Sequence, residues 1–234
     1  MKFKMTKSFW EKEYKNATHL ILSTEPSSDM ETFVKWALRN SEWPPFPEGG
    51  MVLDCGCGNG RNIIALCKEG NMKGYGFDIS AEAIRAANAE KKGLPITFEV
   101  GELGKNIPLP DESVDVALDM MSSHFLGEKE RGDFVKELAR VVKPFGWLFF
   151  KTFSLDGDAH AKRLLRDFPS GEANTYIHPK IKVAEHVFDD SEIYELFTPY
   201  FKIHKMIKSY KHVKDGKPHK RRTVSVYMER KRDE

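Results

Sequence analysis

The sequence predicts an α/β fold, a parallel sheet wrapped by helices, on three observations. Short apolar runs alternate with amphipathic stretches along most of the chain, which is the pattern of repeated strand–helix–strand units. The run at 147–153, Trp-Leu-Phe-Phe-Lys-Thr-Phe, is apolar enough for a central strand. A strand-like Met-Val-Leu-Asp at 51–54 runs into three closely spaced glycines and then a helical stretch, and such a loop is a natural ligand seat.

Each element has its own signal. Ser28, followed three residues later by Glu31, reads as a capping box, with Phe33, Val34, Trp36, Ala37 and Leu38 as apolar helix positions. Trp-Pro-Pro-Phe-Pro at 43–47 ends that helix in an extended link. Residues 61–68 form the next helix, with Ile63, Ile64 and Leu66 available for packing. Gly-Tyr-Gly-Phe-Asp at 74–78 is the second strand. Ser80 caps an alanine-rich helix through Ala89; Gly93 and Pro95 close it, and 96–100 is the third strand. The fourth strand, 114–120, precedes an amphipathic helix at 128–142 that carries Phe134, Val135, Leu138, Val141 and Val142 and stops at Pro144. Residues 155–189 break the rhythm; polar and rich in His, Pro and Gly, they read as an insertion or substrate lid. Asp189 with Glu192 caps a short helix through Phe197. Strands at 200–211 and 223–230 then pair as a hairpin whose long turn holds Asp215 and Gly216.

The 234 residues, 40% hydrophobic and 31% charged, suit one large domain. It divides into a helical cap (1–48), a ligand-binding core (49–154), the insertion (155–189) and a C-terminal helix and hairpin (190–234). No apolar run approaches the roughly 20 residues that span a bilayer, so no membrane association is expected. The basic N-terminus lacks a following apolar region, which argues against export. Three clustered cysteines, Cys55, Cys57 and Cys67, point to a reducing, cytoplasmic setting. Cys55 and Cys57 lack C-x-x-C spacing, and His160, His178 and His186 share no ligand spacing, so no metal is expected. Net charge is +2, yet 202–232 is markedly basic. That region reads either as a patch for nucleic acid or as a solvated strand pair.

Residues 52–60 read Val-Leu-Asp-Cys-Gly-Cys-Gly-Asn-Gly. Glycines 56, 58 and 60 let a ligand approach the backbone, and the following helix offers unpaired N–H groups. A P-loop would end in Gly-Lys-Ser/Thr, where Asn59-Gly60-Arg61 stands. A dinucleotide loop would place its third glycine one residue later. Asp54 at the mouth would repel a pyrophosphate and attract an ammonium or sulfonium.

This motif resembles the first motif of class I S-adenosylmethionine-dependent methyltransferases. The resemblance extends in order and spacing over about residues 52–153. Asp78, in Gly-Tyr-Gly-Phe-Asp-Ile-Ser at 74–80, is similar to the family's acid for the two ribose hydroxyls. Gly101-Glu102-Leu103 resembles the adenine-contacting segment, with Glu102 toward the adenine amino group. Residues 107–115 resemble the approach to the fourth strand. Residues 140–146 resemble the turn before the fifth, where Phe145 departs from the usual glycine. Phe9-Trp10, Tyr14 and Pro26-Ser27 are similar to the leading segment of small-molecule methyltransferases of the tellurite-resistance type. The resemblance implies a Rossmann-like seven-stranded, mostly parallel sheet with an antiparallel C-terminal strand and helices on both faces. It also implies S-adenosyl-L-methionine as cofactor, held by Asp54, Gly56, Cys57, Gly58, Asn59, Gly60, Asp78, Ile79, Ser80, Gly101, Glu102, Leu103, Asp119 and Met120.

Ligands in such sheets bind beyond the carboxyl ends of the strands, which puts residues 119–124 beside the transferred methyl. His124 is the candidate catalytic base, since imidazole titrates near neutral pH; the alternative is a structural histidine. Trp10 and Tyr14 from the cap, and Tyr176 and His178 from the insertion, are candidate substrate contacts. The expected activity is methyl transfer to a small-molecule acceptor. The alternatives are an RNA or protein methyltransferase using the basic C-terminal region, and a protein that binds the cofactor without transferring it. The Asn-Pro-Pro-Tyr-like signature of amino-group methylation is absent after the fourth strand.

Overall fold

A computed structural model describes residues 7–18, 22–209, 213–214, 217–218 and 221–232. In chain order the first half comprises α1 (Lys7–Lys15), α2 (Ser28–Asn40), β1 (Met51–Cys55), α3 (Arg61–Gly70), β2 (Lys73–Asp78), α4 (Ala81–Glu90), β3 (Ile96–Val100) and β4 (Val114–Met120). A 3-10 turn (Ser123–Phe125), α5 (Glu128–Val141) and β5 (Val142–Phe153) follow. The remainder is α6 (Ala159–Asp167), β6 (Thr175–Ile177), β7 (Ala184–His186), α7 (Asp190–Phe197), β8 (Phe201–Lys208), β9 (Val213–Lys214), β10 (Lys217–Pro218) and β11 (Thr223–Arg230).

Seven strands form the main sheet in the order β3-β2-β1-β4-β5-β11-β8. β1 to β5 run parallel, and β11 runs antiparallel to both β5 and β8. The chain leaves β1 toward β2 on one side and reaches β4 on the other. The crevice at that reversal is where doubly wound sheets bind ligands.

Both faces of the central strands are apolar because both are covered. On one face Leu53, Ala117 and Phe150 pack on Phe134 and Leu138 of α5 and Phe197 of α7. On the other, Val52, Leu118 and Phe149 meet Phe33 of α2, Ile63 of α3 and Ile84 of α4. Phe33 stacks on Phe149 at 5.0 Å. Full burial of side chains this size stabilises by about 1.5–3 kcal/mol each.

Several local expectations shift. The N-cap of α2 is Ser27, not Ser28, and its side chain makes no capping bond. The buried face of α2 is Met30, Phe33 and Ala37, at helical spacing, so Leu38 is turned out and 62% exposed. Phe145 adopts φ 66°, the left-handed conformation a glycine takes freely and an aromatic residue takes at a cost. Ser80 and Asp189 cap as expected: the Ser80 hydroxyl accepts from Ala83 N–H and the Asp189 carboxylate from Glu192 N–H. Residues 155–189 contain α6 and the small antiparallel pair β6–β7. Asp215 and Gly216 lie outside the described residues.

Candidate functional site

The glycine loop turns sharply at the carboxyl end of β1. The N–H groups of Gly56 and Cys57 both donate to the Phe77 carbonyl, at 2.8 and 2.9 Å, folding the loop onto the end of β2. Gly56 and Gly58 have φ of 72° and 57°. A Cβ on Gly56 would lie 2.5 Å from the Ser122 Cβ, and one on Gly58 would collide with the Tyr14 hydroxyl. Neither position admits a side chain, on backbone and on space.

Beneath the loop the charge is negative. Asp78 accepts from Gly58 N–H (3.0 Å) and Ser80 N–H (2.9 Å), tying the first loop to the second. Burial raises its carboxyl above the ordinary value against the pull of those bonds. Burial, with Asp78 and Asp119 nearby, pushes Asp54 up to about 7, opposed by the Ile63 N–H and Arg61. Asp119 accepts from the Ser122 hydroxyl and from Ser123 N–H (3.2 Å). Asp54 Oδ2 and Asp119 Oδ2 are buried without a hydrogen-bond partner among the described residues. Orphaned buried carboxylate oxygens are costly unless a cation or donor meets them.

The cavity above them is lined by residues 10, 14, 22–23, 56–59, 61–62, 77–79, 101, 103, 120–122 and 125. Arg61 stands on its wall, at the first turn of α3. Asp78 and Arg61 on the cavity wall, with the buried Asp54 and Asp119 behind it, suit a ligand carrying both an ammonium and a carboxylate. The glycine bed and Asp78 suit a sugar lying across the loop. The residues present therefore fit S-adenosylmethionine.

Of the residues singled out from sequence, Trp10, Tyr14, Gly56, Cys57, Gly58, Asn59, Asp78, Ile79, Gly101, Leu103 and Met120 line this cavity. Asp54, Gly60, Ser80 and Asp119 stand behind that lining, and Glu102 is exposed. His124 is buried between Phe125 (4.0 Å between rings) and Phe153 (4.8 Å), with Nδ1 unpartnered among the described residues. Burial, then Arg221 and His186, hold its pKa well below the ordinary imidazole value. Tyr176 is buried on β6, bonded to Glu185 (2.7 Å) and to Arg221, and His178 Nδ1 accepts from Lys180 and Ile181 N–H. Neither lines the cavity. Sequence reasoning missed Leu22, Ser23, Arg61, Asn62, Phe77 and Phe125. Arg61 was in view within the motif, where it served only to exclude a P-loop.

A doubly wound sheet with buried acids beneath its first loop suits a ligand that joins a cation to a sugar. Comparison with known proteins narrows that class. Residues 52–146 match the family model of the methyltransferase domain. The chain is 31% identical over 115 residues to 27-O-demethylrifamycin SV methyltransferase of Amycolatopsis mediterranei (strain S699), covering 47% of this chain and 41% of that one. It is 28% identical over 147 residues to the tRNA (carboxymethyluridine(34)-5-O)-methyltransferase of Arabidopsis thaliana, covering 62% and 34% respectively. A SAM-dependent methyltransferase structure from Methanosarcina mazei superposes with a TM-score of 0.66 at 24% identity, over 82% of this chain and 100% of that one. The chain thus spans well under half the length of those two curated relatives. Residues 52–146 thus resemble the methyltransferase domain, and the sheet shares the fold of that SAM-dependent methyltransferase.

Proposed function

We propose that the chain transfers the methyl group of S-adenosylmethionine to a small-molecule acceptor. One observation carries the reading: the cavity over the glycine loop is lined also by Trp10, Leu22, Met121, Ser122 and Phe125, four of them apolar, with Trp10 and Leu22 contributed by the N-terminal segment. The Asn59 and Asn62 side chains hold that segment down. Asn59 donates to the Ser23 carbonyl (2.9 Å) and Asn62 accepts from Ser27 N–H (2.9 Å). A chamber covered in this way favours an acceptor that enters whole over a polymer that must pass a strand across the mouth.

Bound there, the cofactor supplies a methyl carbon activated by its sulfonium. In this reading Asp78 holds the ribose hydroxyls, and Phe77, Ile79, Gly101 and Leu103 flank the adenine. Asp54 and Asp119 offer their unmet oxygens toward the ammonium side, and Arg61 the carboxylate. Met121, Ser122, Phe125 and Trp10 exclude water and align the acceptor, the part of the rate enhancement that positioning provides.

The RNA reading would need free cations. Three of the described C-terminal cations are engaged internally: Lys208 binds Asp190 (2.5 Å) and Asp156, His204 binds Glu229 (2.6 Å), and Arg221 binds Glu185. The tail residues 215–216 and 219–220 lie outside the described residues.

Calorimetry and a panel of labelled acceptors test the proposal together. Wild type is expected to bind S-adenosylmethionine. Asp78→Ala is expected to weaken binding at least tenfold, about 1.5–3 kcal/mol for a charged hydrogen-bonding group. Turnover is expected with a thiol, amine, phenol or carboxylic acid. Affinity unchanged in Asp78→Ala would remove the ribose assignment. Methylation of RNA alone would replace the small-molecule reading.

A further inference from the structure

The ribose-binding loop is held from outside the sheet by a residue that neither the glycine motif nor the cavity lining identifies. The Glu11 carboxylate, on α1, accepts from the Ser80 hydroxyl (3.0 Å), Ala81 N–H (2.9 Å) and Glu82 N–H (3.0 Å). These are the first donors of α4, unpaired within their own helix. They lie two to four residues beyond Asp78, which itself accepts from Ser80 N–H.

We propose that Glu11 is a positioning residue that latches α1 across the cofactor cavity and thereby sets Trp10 and Tyr14 as its wall. This rests on the reading of that cavity as the S-adenosylmethionine site. α1 has nine residues, too few for a helix to persist in water without docking. Its docking contacts reach three loops at once. Glu11 holds the loop after β2, the Tyr14 hydroxyl sits over Gly58 in the loop after β1, and Trp10 packs edge-on against Phe125 after β4 at 5.0 Å. Glu11 makes the charge-assisted part of that contact, with a carboxylate at the positive end of α4. Capping of α4 does not depend on it, because the Ser80 hydroxyl already accepts from Ala83 N–H at 3.2 Å. The three bonds to Glu11 therefore serve the joint between α1 and α4 rather than α4 itself. Cofactor exchange then requires this joint to open, and Glu11 sets how often it does.

Release of S-adenosylhomocysteine from the full chain, measured by stopped-flow displacement, tests the latch. Glu11→Ala is expected to speed release about tenfold or more, as loss of charge-assisted hydrogen bonds would, with Glu11→Asp in between. Amide exchange across residues 7–15 is expected to rise in the ligand-free Glu11→Ala protein while the strands β1, β4 and β5 stay protected, a pattern that general destabilisation would not give. If Glu11→Ala unfolds the chain, Glu11→Gln, which keeps the shape and removes the charge, is read the same way. Wild-type binding with release within twofold of normal in the variant, or unchanged exchange over 7–15, overturns the latch and leaves the cofactor site standing. A wild type that does not bind S-adenosylhomocysteine removes the cofactor site and the latch together.

Discussion

At the carboxyl ends of β1 and β4, Asp54 and Asp119 each bury an oxygen that no donor meets among the described residues. In the layer built on residues 155–189, Glu185 buries its carboxylate against Arg221 and the Tyr176 hydroxyl. Close by, the buried Arg131 bridges Glu172 (2.9 Å) and Glu192 (3.6 Å), and Glu192 also meets His186 at 2.9 Å. Both regions bury charge at similar depth. The first leaves charge uncompensated where a cavity opens beside it, and the second cancels charge where none does. An unpaired buried carboxylate persists at a cost that a ligand can relieve, whereas a paired one holds two pieces of chain together. The contrast assigns the first region to binding and the second to fastening the insertion onto the sheet.

Removing Glu185 gives the sharpest test of this division. Burial pushes its carboxyl up to about 8 and the Arg221 guanidinium down to about 9, and the two groups are in direct contact. Arg221 also lies flat over Phe153, 3.4 Å from the ring centre. Glu185→Gln leaves that guanidinium buried without its counter-charge, so unfolding free energy should drop by about 3–5 kcal/mol. Affinity for S-adenosylmethionine should stay within twofold while the protein remains folded. Denaturant melts paired with calorimetry read both. A large loss of affinity at intact stability would mean that the fastening layer also belongs to the binding site.

The unpaired side of the comparison has a pH signature. With its carboxyl pushed up to about 7, Asp54 is mostly protonated in the free protein at pH 5.5 and must lose that proton to face a cation. At pH 7 half of the molecules have already lost it. Affinity for S-adenosylmethionine should therefore rise roughly tenfold from pH 5.5 to 7, with proton release at the lower end. The stability of the free protein should move the other way. The folded-state pKa is raised, so the Asp54 contribution declines as pH climbs from the ordinary carboxylate range toward 7. Asp54→Asn should flatten both slopes. A wild-type affinity indifferent to pH over this window would show that Asp54 does not face the ligand's charge.

The same contrast explains what the sequence could reveal. The glycine loop, β1, β2 and Asp78 are close in sequence, and their placement follows from residue type and spacing, so much of the lining of this cavity was legible. Leu38 was misplaced because an apolar residue near helical spacing says nothing about which face the rest of the helix buries. Arg61 was passed over because its importance lies in standing beside Asp54, a relation between loop and strand rather than a motif. Tyr176 and His178 looked like substrate contacts because they sit in a long insertion. The insertion is instead tied to the C-terminal segment through Glu185 and Arg221, 36 residues apart along the chain.

His124 tests the boundary between the two regions, and the expected effect on catalysis is the smallest of these. Its position just after β4 put it beside the methyl group in sequence, but the 3-10 turn aims its ring between Phe125 and Phe153, away from the cavity. Held neutral by burial, it is poorly placed to take a proton from an acceptor in the chamber without displacement of Phe125. His124→Asn should cost about 1 kcal/mol of stability, as one buried polar group exchanged for another, and leave saturated turnover within about threefold. The acid limb of the pH–rate profile should not move. A hundredfold fall in turnover with folding and S-adenosylhomocysteine affinity intact would restore His124 as the base. Phe125 would then have to be a gate that swings aside when the acceptor binds, and the boundary between binding and fastening would run through the 3-10 turn itself.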